Sequence, residues 1–203
     1  MIIGKLPDSE AKAKPSPHPI LTIPNSFGEG VPYGDPYSVQ GWHSPYNSEE
    51  HIKLRKAMRS FISNEIERFV DQWEDRNEAP PRELIKKCAD QGWLCLCLGF
   101  WPKEFVPETV VCGVTLREPD AFHEGIMYDE LSKLGTAAVS WAITGGTAVG
   151  LPPVIKFGSK ELKDRIVGPC LKGEKLICLA ITEPWAGSDV AGIRTTGKKS
   201  ECG

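Results

Sequence analysis

Hydrophobic residues in the first half of the chain recur at steps of three and four, the spacing that puts side chains on one face of an α-helix. The clearest stripe comprises Leu54, Met58, Phe61, Ile62, Ile66, Phe69, Val70 and Trp73. Asn47, followed three positions later by Glu50, has the spacing of a capped helix start. The pattern therefore predicts a long amphipathic helix over this stretch.

Two prolines, Pro80 and Pro81, end this pattern, and a shorter helix is predicted from about Arg82 to Gln91 with Gly92 as its left-handed end. Residues 98–119 contain several prolines and show no period, so they predict a loop. A further helix is predicted over residues 121–134, ending at Gly135.

Residues 137–149 are apolar on almost every side and rich in Ala, Gly and Thr, which predicts a closely packed buried helix. The segment Gly150-Leu-Pro152-Pro153 is expected to break it, because proline lacks an amide hydrogen. A last, exposed helix is predicted from Lys160 to Val167, capped by Ser159 and stopped by Gly168-Pro169.

The period changes after residue 173. Leu176 to Ile181 is a continuous apolar run followed at once by Thr-Glu-Pro, and its length favours a buried β-strand. Because a lone strand with a short successor leaves its backbone unpaired, the β region is expected to be incomplete. The predicted organisation is a proline-rich extended segment 1–46, a helical domain 47–173, and the truncated start of a β domain 174–203.

The N-terminal segment differs in composition from the rest of the chain. Eight of the 17 prolines lie within residues 1–45, and the first arginine is Arg55, so the segment lacks the composition of a mitochondrial presequence. Two interpretations stay open: a flexible tail, or a segment attached to the body through its aromatic residues Phe27, Tyr33, Tyr37, Trp42 and Tyr46.

The net charge, the cysteines and the histidines indicate which partners, which redox state and which metal sites to expect. A net charge of −3 gives no electrostatic reason to expect nucleic acid or an anionic membrane, and no apolar run approaches the ~20 residues of a membrane span. Seven cysteines, most of them in or beside apolar runs and with no secretory signal before them, indicate reduced and mostly buried thiols in an intracellular protein. The four histidines are scattered, so no metal site is predicted.

One segment, from Leu179 to Thr196, carries candidate chemistry. Its residues describe a strand that opens into a turn, where Ala186, Gly187 and Ser188 leave backbone amides unobstructed. Successive amides of this kind suit an anion such as phosphate. Thr182 could present its hydroxyl to a flat polar ring. The alternative is a plain strand and turn in which Ser188 and Asp189 satisfy local amides.

The run Ile181-Thr-Glu-Pro-Trp-Ala-Gly-Ser-Asp-Val-Ala-Gly-Ile-Arg-Thr-Thr196 strongly resembles the first signature of the acyl-CoA dehydrogenases, Thr-Glu-Pro-x-Ala-Gly-Ser-Asp. Residues 128–135 and 150–165 resemble the buried central helix of that family and its flanks, and about residues 47–196 resemble it overall. The resemblance implies a mostly α fold, namely an acyl-CoA dehydrogenase-like N-terminal helical bundle followed by the first strands of an incomplete β domain.

The resemblance also implies FAD as cofactor and the α,β-dehydrogenation of acyl-CoA thioesters as the reaction. By position, Leu179, Ile181 and Thr182 would contact the isoalloxazine ring. Gly187 and Ser188 would meet the pyrophosphate, and Ser188 would also lie beside the acyl-CoA substrate. An electron-transfer partner, a homo-oligomer when full length, and a mitochondrial or peroxisomal location are further implications, with the cytoplasm as the alternative because no targeting signal is visible.

No catalytic residue is assigned within the chain. The family takes its catalytic glutamate from a C-terminal helical bundle beyond this stretch, and Glu183 and Asp189, the acids of the motif, do not match it. Trp185 also stands where the family often has a small residue. Two hypotheses follow: a fragment of an acyl-CoA dehydrogenase-like flavoprotein that is inactive alone, or a non-catalytic helical module that binds partners without flavin.

Overall fold

The computed structural model describes residues 34–40 and 43–200, which belong to two units, Met1–Pro45 and Tyr46–Gly203. In the first unit a 3₁₀ turn covers Tyr37–Gln40, and the side-chain amide of Gln40 donates a hydrogen bond to the carbonyl oxygen of Asp35 at 2.8 Å. Most of the predicted proline-rich segment lies outside the described residues.

The structure describes two of the five aromatic residues considered as attachment points. Phe27, Tyr33 and Trp42 lie outside the described residues, and Tyr37 is exposed. Tyr46 belongs to the second unit, where its ring stacks on Phe122 with the centroids 5.5 Å apart.

The long amphipathic helix is confirmed, with a π turn in its middle. Helix α1 (Glu49–Ile62) passes through the π turn Ser63–Glu67 into α2 (Arg68–Arg76). Its N-cap is Ser48, one residue later than the predicted Asn47. The stripe is buried as predicted except for Phe69, which is exposed, and Phe61, which is half-buried; its buried members are Leu54, Met58, Ile62, Ile66, Val70 and Trp73.

The second predicted helix is confirmed as α3 (Arg82–Asp90), and the chain turns at Gly92, whose φ is 80°. A Cβ at Gly92 would also lie 2.4 Å from the carbonyl oxygen of Val110, so glycine is required twice over. A short helix α4 (Trp93–Leu96) follows.

The predicted loop over residues 98–119 contains a small antiparallel hairpin. Its strands are β1 (Val110–Val111) and β2 (Val114–Thr115), and they form the one sheet among the described residues. Two residues per strand give too short a pattern to be recognised by alternation.

Helix α5 (Ala121–Ser132) confirms the third predicted helix. It runs parallel to α1, because the ion pairs between them advance in the same direction along both: His51 faces Asp120, and Arg59 faces Glu130. These two helices bring the predicted apolar stripe against the buried residues Ile126, Met127 and Leu131.

A buried ion network joins the same two helices. The Glu130 carboxylate is only 1% exposed, and it accepts hydrogen bonds from Arg55 Nη1 at 2.7 Å and from Arg59 Nε at 2.8 Å. Arg55 also pairs with Asp129 at the edge of the network. Because a buried charge without a partner is costly, these residues depend on one another.

The expected break at the prolines is wrong. Helix α6 (Ala137–Ser140), the π turn Trp141–Gly145 and α7 (Gly146–Phe157) form one continuous helical stretch that includes Pro152 and Pro153. The fixed φ of proline is itself helical. Burial of Leu151, with Val154 and Ile155 packed against its cluster, outweighs the lost amide hydrogen bonds.

The continuous stretch Ala137–Phe157 has 21 residues and is, by length and composition, long and apolar enough to cross a membrane. This helix contradicts the sequence-based expectation that no apolar run approaches the length of a membrane span. A core helix of a soluble protein passes the same test, so the feature is weak evidence for a membrane span.

The last helix, α8 (Lys160–Leu171), begins as predicted and continues farther. The Ser159 hydroxyl accepts a hydrogen bond from the Leu162 amide at 3.2 Å. Gly168-Pro169 does not stop the helix, because Val167, Cys170 and Leu171 are buried in a shared apolar cluster.

The cysteines are mostly buried, as predicted, and none of those described forms a disulfide. Four are buried, Cys112 is half-buried and Cys178 is exposed. Burial raises the pKa of Cys95 and of Cys97 to about 12, so these thiols stay protonated and behave as small hydrophobic residues.

Candidate functional site

The predicted buried strand, Leu176 to Ile181, does not form. Residues 176–182 form neither a helix nor a strand, and they have no strand partner among the residues that the structure describes. We call these residues the extended segment. Leu176 is 57% exposed and Leu179 is 50% exposed, so the predicted burial is also wrong. Apolar composition favours a strand only where a neighbouring backbone can pair with it.

Two glycines of α7 hold the extended segment against the helical body. A Cβ at Gly146 would lie 2.0 Å from the carbonyl oxygen of Ile177, and one at Gly150 would lie 3.2 Å from Ile177 Cγ1. Because residues four apart share a helix face, the two glycines form one groove that admits the backbone of Ile177 and Cys178. Close packing against glycine thus replaces the expected strand pairing.

A tight turn follows the extended segment. The Glu183 amide donates to the Ala186 carbonyl at 2.9 Å, and the Ala186 amide donates to the Glu183 carbonyl at 3.1 Å. Thr182 and Gly187 flank this bridge directly, and Ser188 comes next; all three are exposed. Leu179 and Ile181, the other predicted flavin contacts, lie earlier on the extended segment, and Ile181 is half-buried.

The turn leaves hydrogen-bond donors open. Within the described part of the chain, the amides of Gly187 and Ser188 and the Ser188 hydroxyl have no hydrogen-bond partner. A Cβ at Gly187 would meet nothing within 4 Å. The alternative in which Ser188 satisfies a local amide is therefore not what the structure shows. Two successive amides and a hydroxyl have the chemistry of an anion site.

The Glu183 side chain has a role that the sequence did not suggest. Its carboxylate accepts hydrogen bonds from the Thr195 amide at 3.1 Å, the Arg194 amide at 3.2 Å and the Trp185 indole at 2.7 Å. Partial desolvation raises the pKa of Glu183, but the backbone amides of Thr195 and Arg194 outweigh this and lower it below its usual value. A carboxylate engaged in this way is poorly placed to act as a base.

A second candidate feature is an apolar cavity of about 600 Å³ beside the α6–α7 helical stretch. It is lined by α5, by the turn after it and by the α6–α7 stretch, including Tyr128, Leu131, Trp141, Thr144, Ala148 and Val149. Burial raises the pKa of Tyr128, so its hydroxyl stays protonated. The cavity therefore suits an apolar ligand, and the polar groups in its wall are neutral hydroxyls such as that of Tyr128.

The π turn shapes one wall of this cavity. The Trp141 ring lies directly against Gly145, because a Cβ at Gly145 would be 2.1 Å from Trp141 Cε3. Gly145 lines the cavity, and its neighbour Gly146 belongs to the groove that holds residue 177. The cavity and the extended segment therefore contact adjacent residues, Gly145 and Gly146, of one helical stretch.

Two histidines that are far apart in sequence are stacked in the structure, with ring centroids 3.9 Å apart. His51 Nδ1 accepts from the Ser48 amide at 3.1 Å, which assigns the proton to Nε2, 3.2 Å from Asp120 Oδ1. His123 lies between two carboxylates, with Nδ1 2.8 Å from Asp120 Oδ1 and Nε2 3.1 Å from Glu50 Oε1. Each histidine side chain thus completes the N-terminal capping box of its own helix and also contacts the neighbouring helix.

His51, Asp120 and His123 are close enough to suggest a metal site, which the sequence did not predict. Their geometry argues against it. The two rings are only 27° from parallel, and a metal bonds to imidazole in the plane of the ring. One ion cannot lie in both planes at bonding distance, so the cluster is a joint between helices.

Hydrogen bonding also sets the charge of Asp120. Burial raises the pKa of this carboxyl, but hydrogen bonds from the His123 backbone amide and the His51 ring outweigh it and lower the pKa to about 2. The Asp120 side chain also accepts from the amides of Phe122 and His123, which caps α5. An ionised Asp120 therefore stabilises both the cap and the joint.

Comparison with known proteins agrees with the signature and the fold. A family model described as the acyl-CoA dehydrogenase N-terminal domain matches residues 48–174. The chain therefore belongs to the acyl-CoA dehydrogenase family. It is 37% identical over 176 residues to acyl-CoA dehydrogenase apdG of Emericella nidulans, and 30% identical over 173 residues to the mitochondrial short-chain specific acyl-CoA dehydrogenase of Bos taurus.

These matches cover 85% and 83% of this chain but only 40% and 38% of the two relatives, so the chain spans about two fifths of their length. The crystal structure of an acyl-CoA dehydrogenase from Geobacillus kaustophilus matches with a TM-score of 0.63 and 28% identity, over 78% of this chain and 38% of that one. The crystal structure of an acyl-CoA dehydrogenase complexed with FAD from Bacillus anthracis matches with a TM-score of 0.54 and 27% identity, over 75% of this chain and 24% of that one. The predicted mostly α fold is confirmed.

Sequence reasoning missed the cavity, the histidine pair and the engagement of Glu183. One signal for the histidines was present: Ser48 and Asp120 each precede a histidine by three residues, the spacing of a capping box with histidine in third place. No sequence signal joins the two caps, because their contact is made between separate helices.

Proposed function

We propose that this chain forms the FAD-binding and acyl-CoA-binding part of a flavoprotein that dehydrogenates acyl-CoA thioesters between the α and β carbons. The observation that carries the proposal is the open donor set at Gly187 and Ser188, within a signature that the family shares. A pyrophosphate needs several such donors without side chains in the way.

The residues present fit the cofactor in the proposed roles. Thr182, Gly187 and Ser188 are exposed on either side of one turn, and Leu179 offers apolar surface beside them. In the proposal, Leu179, Ile181 and Thr182 contact the isoalloxazine ring, and Gly187 and Ser188 donate to the pyrophosphate. Bound FAD would supply the redox chemistry, and the chain would bind and orient it.

The apolar cavity is the proposed site of the acyl chain. Its walls are mostly hydrocarbon, and Gly145 in its wall is next to Gly146 of the glycine groove, which holds the extended segment just before the signature. In the proposal Ser188 lies at the thioester end, so one ligand would extend from the open turn into the cavity.

No catalytic base is proposed within the described residues. Among the two acids of the signature, Glu183 is already engaged by three donors. An electron-transfer partner, assembly with further copies, and a mitochondrial or peroxisomal location are proposed from the family alone; the relative from Bos taurus is named as mitochondrial.

The test is a fluorescence titration of the purified chain with FAD, comparing Gly187→Ala with Gly197→Ala. Neither added methyl meets an atom of the described chain within 4 Å, so both variants are expected to fold normally. Gly187→Ala covers the open amides and should weaken FAD binding about tenfold or more, whereas Gly197→Ala should not. Equal affinities for both variants contradict the proposed site, and no FAD binding by any form supports the non-catalytic module instead.

A further inference from the structure

Glu183 makes more specific contacts than an exposed carboxylate needs for solvation. One oxygen, Oε1, lies 3.2 Å from the Arg194 amide and 3.1 Å from the Thr195 amide. The other, Oε2, lies 2.7 Å from Trp185 Nε1. A long side chain held in one geometry loses rotamer entropy, so three simultaneous donors indicate a defined structural role.

The partners of Glu183 also interact with each other. The Arg194 guanidinium lies over the Trp185 ring, 5.6 Å from its centroid. Trp185 is 60% exposed, so the ring is held on the surface by these contacts and not by burial. Glu183, Trp185 and Arg194 therefore form a connected group, which we call the loop clamp.

The loop clamp closes the segment that contains the open donors. The backbone of Glu183 forms the tight turn with Ala186, and its side chain reaches forward to residues 194 and 195. Gly187 and Ser188 lie between these two attachments. One residue thus fixes both ends of the loop, where the chain has neither a β ladder nor an apolar core of its own.

We propose that Glu183 is a positioning residue, which with Trp185 holds the loop so that the Gly187 and Ser188 amides are preorganised for the cofactor pyrophosphate. This inference rests on the proposed function. It also explains Trp185, because the indole that replaces a small residue is one arm of the loop clamp and leaves the amides open. Preorganised donors bind an anion more tightly because they need no ordering on binding.

The first test measures the loop clamp without any cofactor. Amide hydrogen exchange at Arg194 and Thr195 is followed by NMR in the wild-type chain, Glu183→Ala, Glu183→Gln and Asp189→Asn. Exchange at both amides should be about tenfold faster in Glu183→Ala. Glu183→Gln keeps one accepting oxygen and should be intermediate. Asp189→Asn makes the same charge change in the same loop and should match the wild type.

The second test titrates the same variants, and Trp185→Phe, with FAD. We expect the dissociation constant to rise about tenfold in Glu183→Ala and less in Glu183→Gln and Trp185→Phe, with an unchanged melting temperature because the loop clamp does not touch the helical core. Unprotected amides in the wild type overturn the loop clamp. Protected amides with equal FAD affinity in wild type and Glu183→Ala overturn the positioning role. If the wild type binds no FAD, the proposed function fails and the positioning role fails with it, while exchange still decides whether the loop clamp exists.

Discussion

Replacement of Gly146 by alanine directly perturbs the contact between the extended segment and the helical body. The added Cβ would lie 2.0 Å from the carbonyl oxygen of Ile177, where ordinary contacts begin near 3.4 Å. The backbone of the extended segment or of α7 would therefore have to retreat by roughly 1.4 Å, the difference between those distances. Neither is a flexible side-chain end that can rotate away.

Two opposing effects determine the expected change in the free energy of unfolding of Gly146→Ala. Overpacking costs about 1–3 kcal/mol, and the better helix propensity of alanine returns about 1 kcal/mol, so Gly146→Ala should be destabilised by about 0–2 kcal/mol. Gly125→Ala is the matched control within α5, because its Cβ would meet nothing within 4 Å. That variant should be stabilised by about 0.5–1 kcal/mol.

Urea unfolding followed by circular dichroism measures both free energies, and hydrogen exchange over residues 175–182 reports on the segment itself. Gly146→Ala should show faster exchange there, and Gly125→Ala should not. If Gly146→Ala is as stable as Gly125→Ala and its segment exchanges no faster, the glycine groove does not hold the segment and the reasoning is refuted.

Three further predictions concern charge and thiols. Glu130→Ala should lose about 3–5 kcal/mol of unfolding free energy in urea, because two arginines lose their buried partner; exposed Asp164→Asn should lose nothing measurable. Because folding lowers the pKa of Asp120 to about 2, its contribution to stability is present above about pH 4 and is lost as the pH falls towards 2. The melting temperature of Asp120→Asn should therefore depend less on pH in that window, and an equal dependence would contradict the assigned cap. Cys178→Ser should remove one fast-reacting equivalent in a thiol titration, whereas Cys97→Ser should change only the count after unfolding.

How far the sequence predicts this fold depends on how local the determining interaction is. The stripe over α1 and α2 depends only on helical spacing, and the sequence predicts it almost residue by residue. It does not predict the continuation through Pro152, because the local cost of proline is offset by burial of Leu151 against residues of another helix. Local preference and tertiary packing point in opposite directions there, and packing prevails.

The signature segment illustrates the same division for the candidate site. The small residues at 186–188 predict open amides from local chemistry alone, and the structure has them at Gly187 and Ser188. The engagement of Glu183 is invisible in the sequence, since its backbone donors lie eleven and twelve residues farther along the chain. The strand prediction is wrong because strand pairing requires a second backbone that local composition does not reveal.

The parallel arrangement of α1 and α5 has a consequence for synthesis of the chain. Arg55 and Glu130 are 75 residues apart. At about 5–20 residues per second, a ribosome adds the stretch between them in roughly 4–15 s. During that time the apolar stripe of α1 lacks its final neighbour, so α1 leaves the ribosome well before the helix that covers it. The nascent chain should therefore present a chaperone-binding surface until α5 emerges.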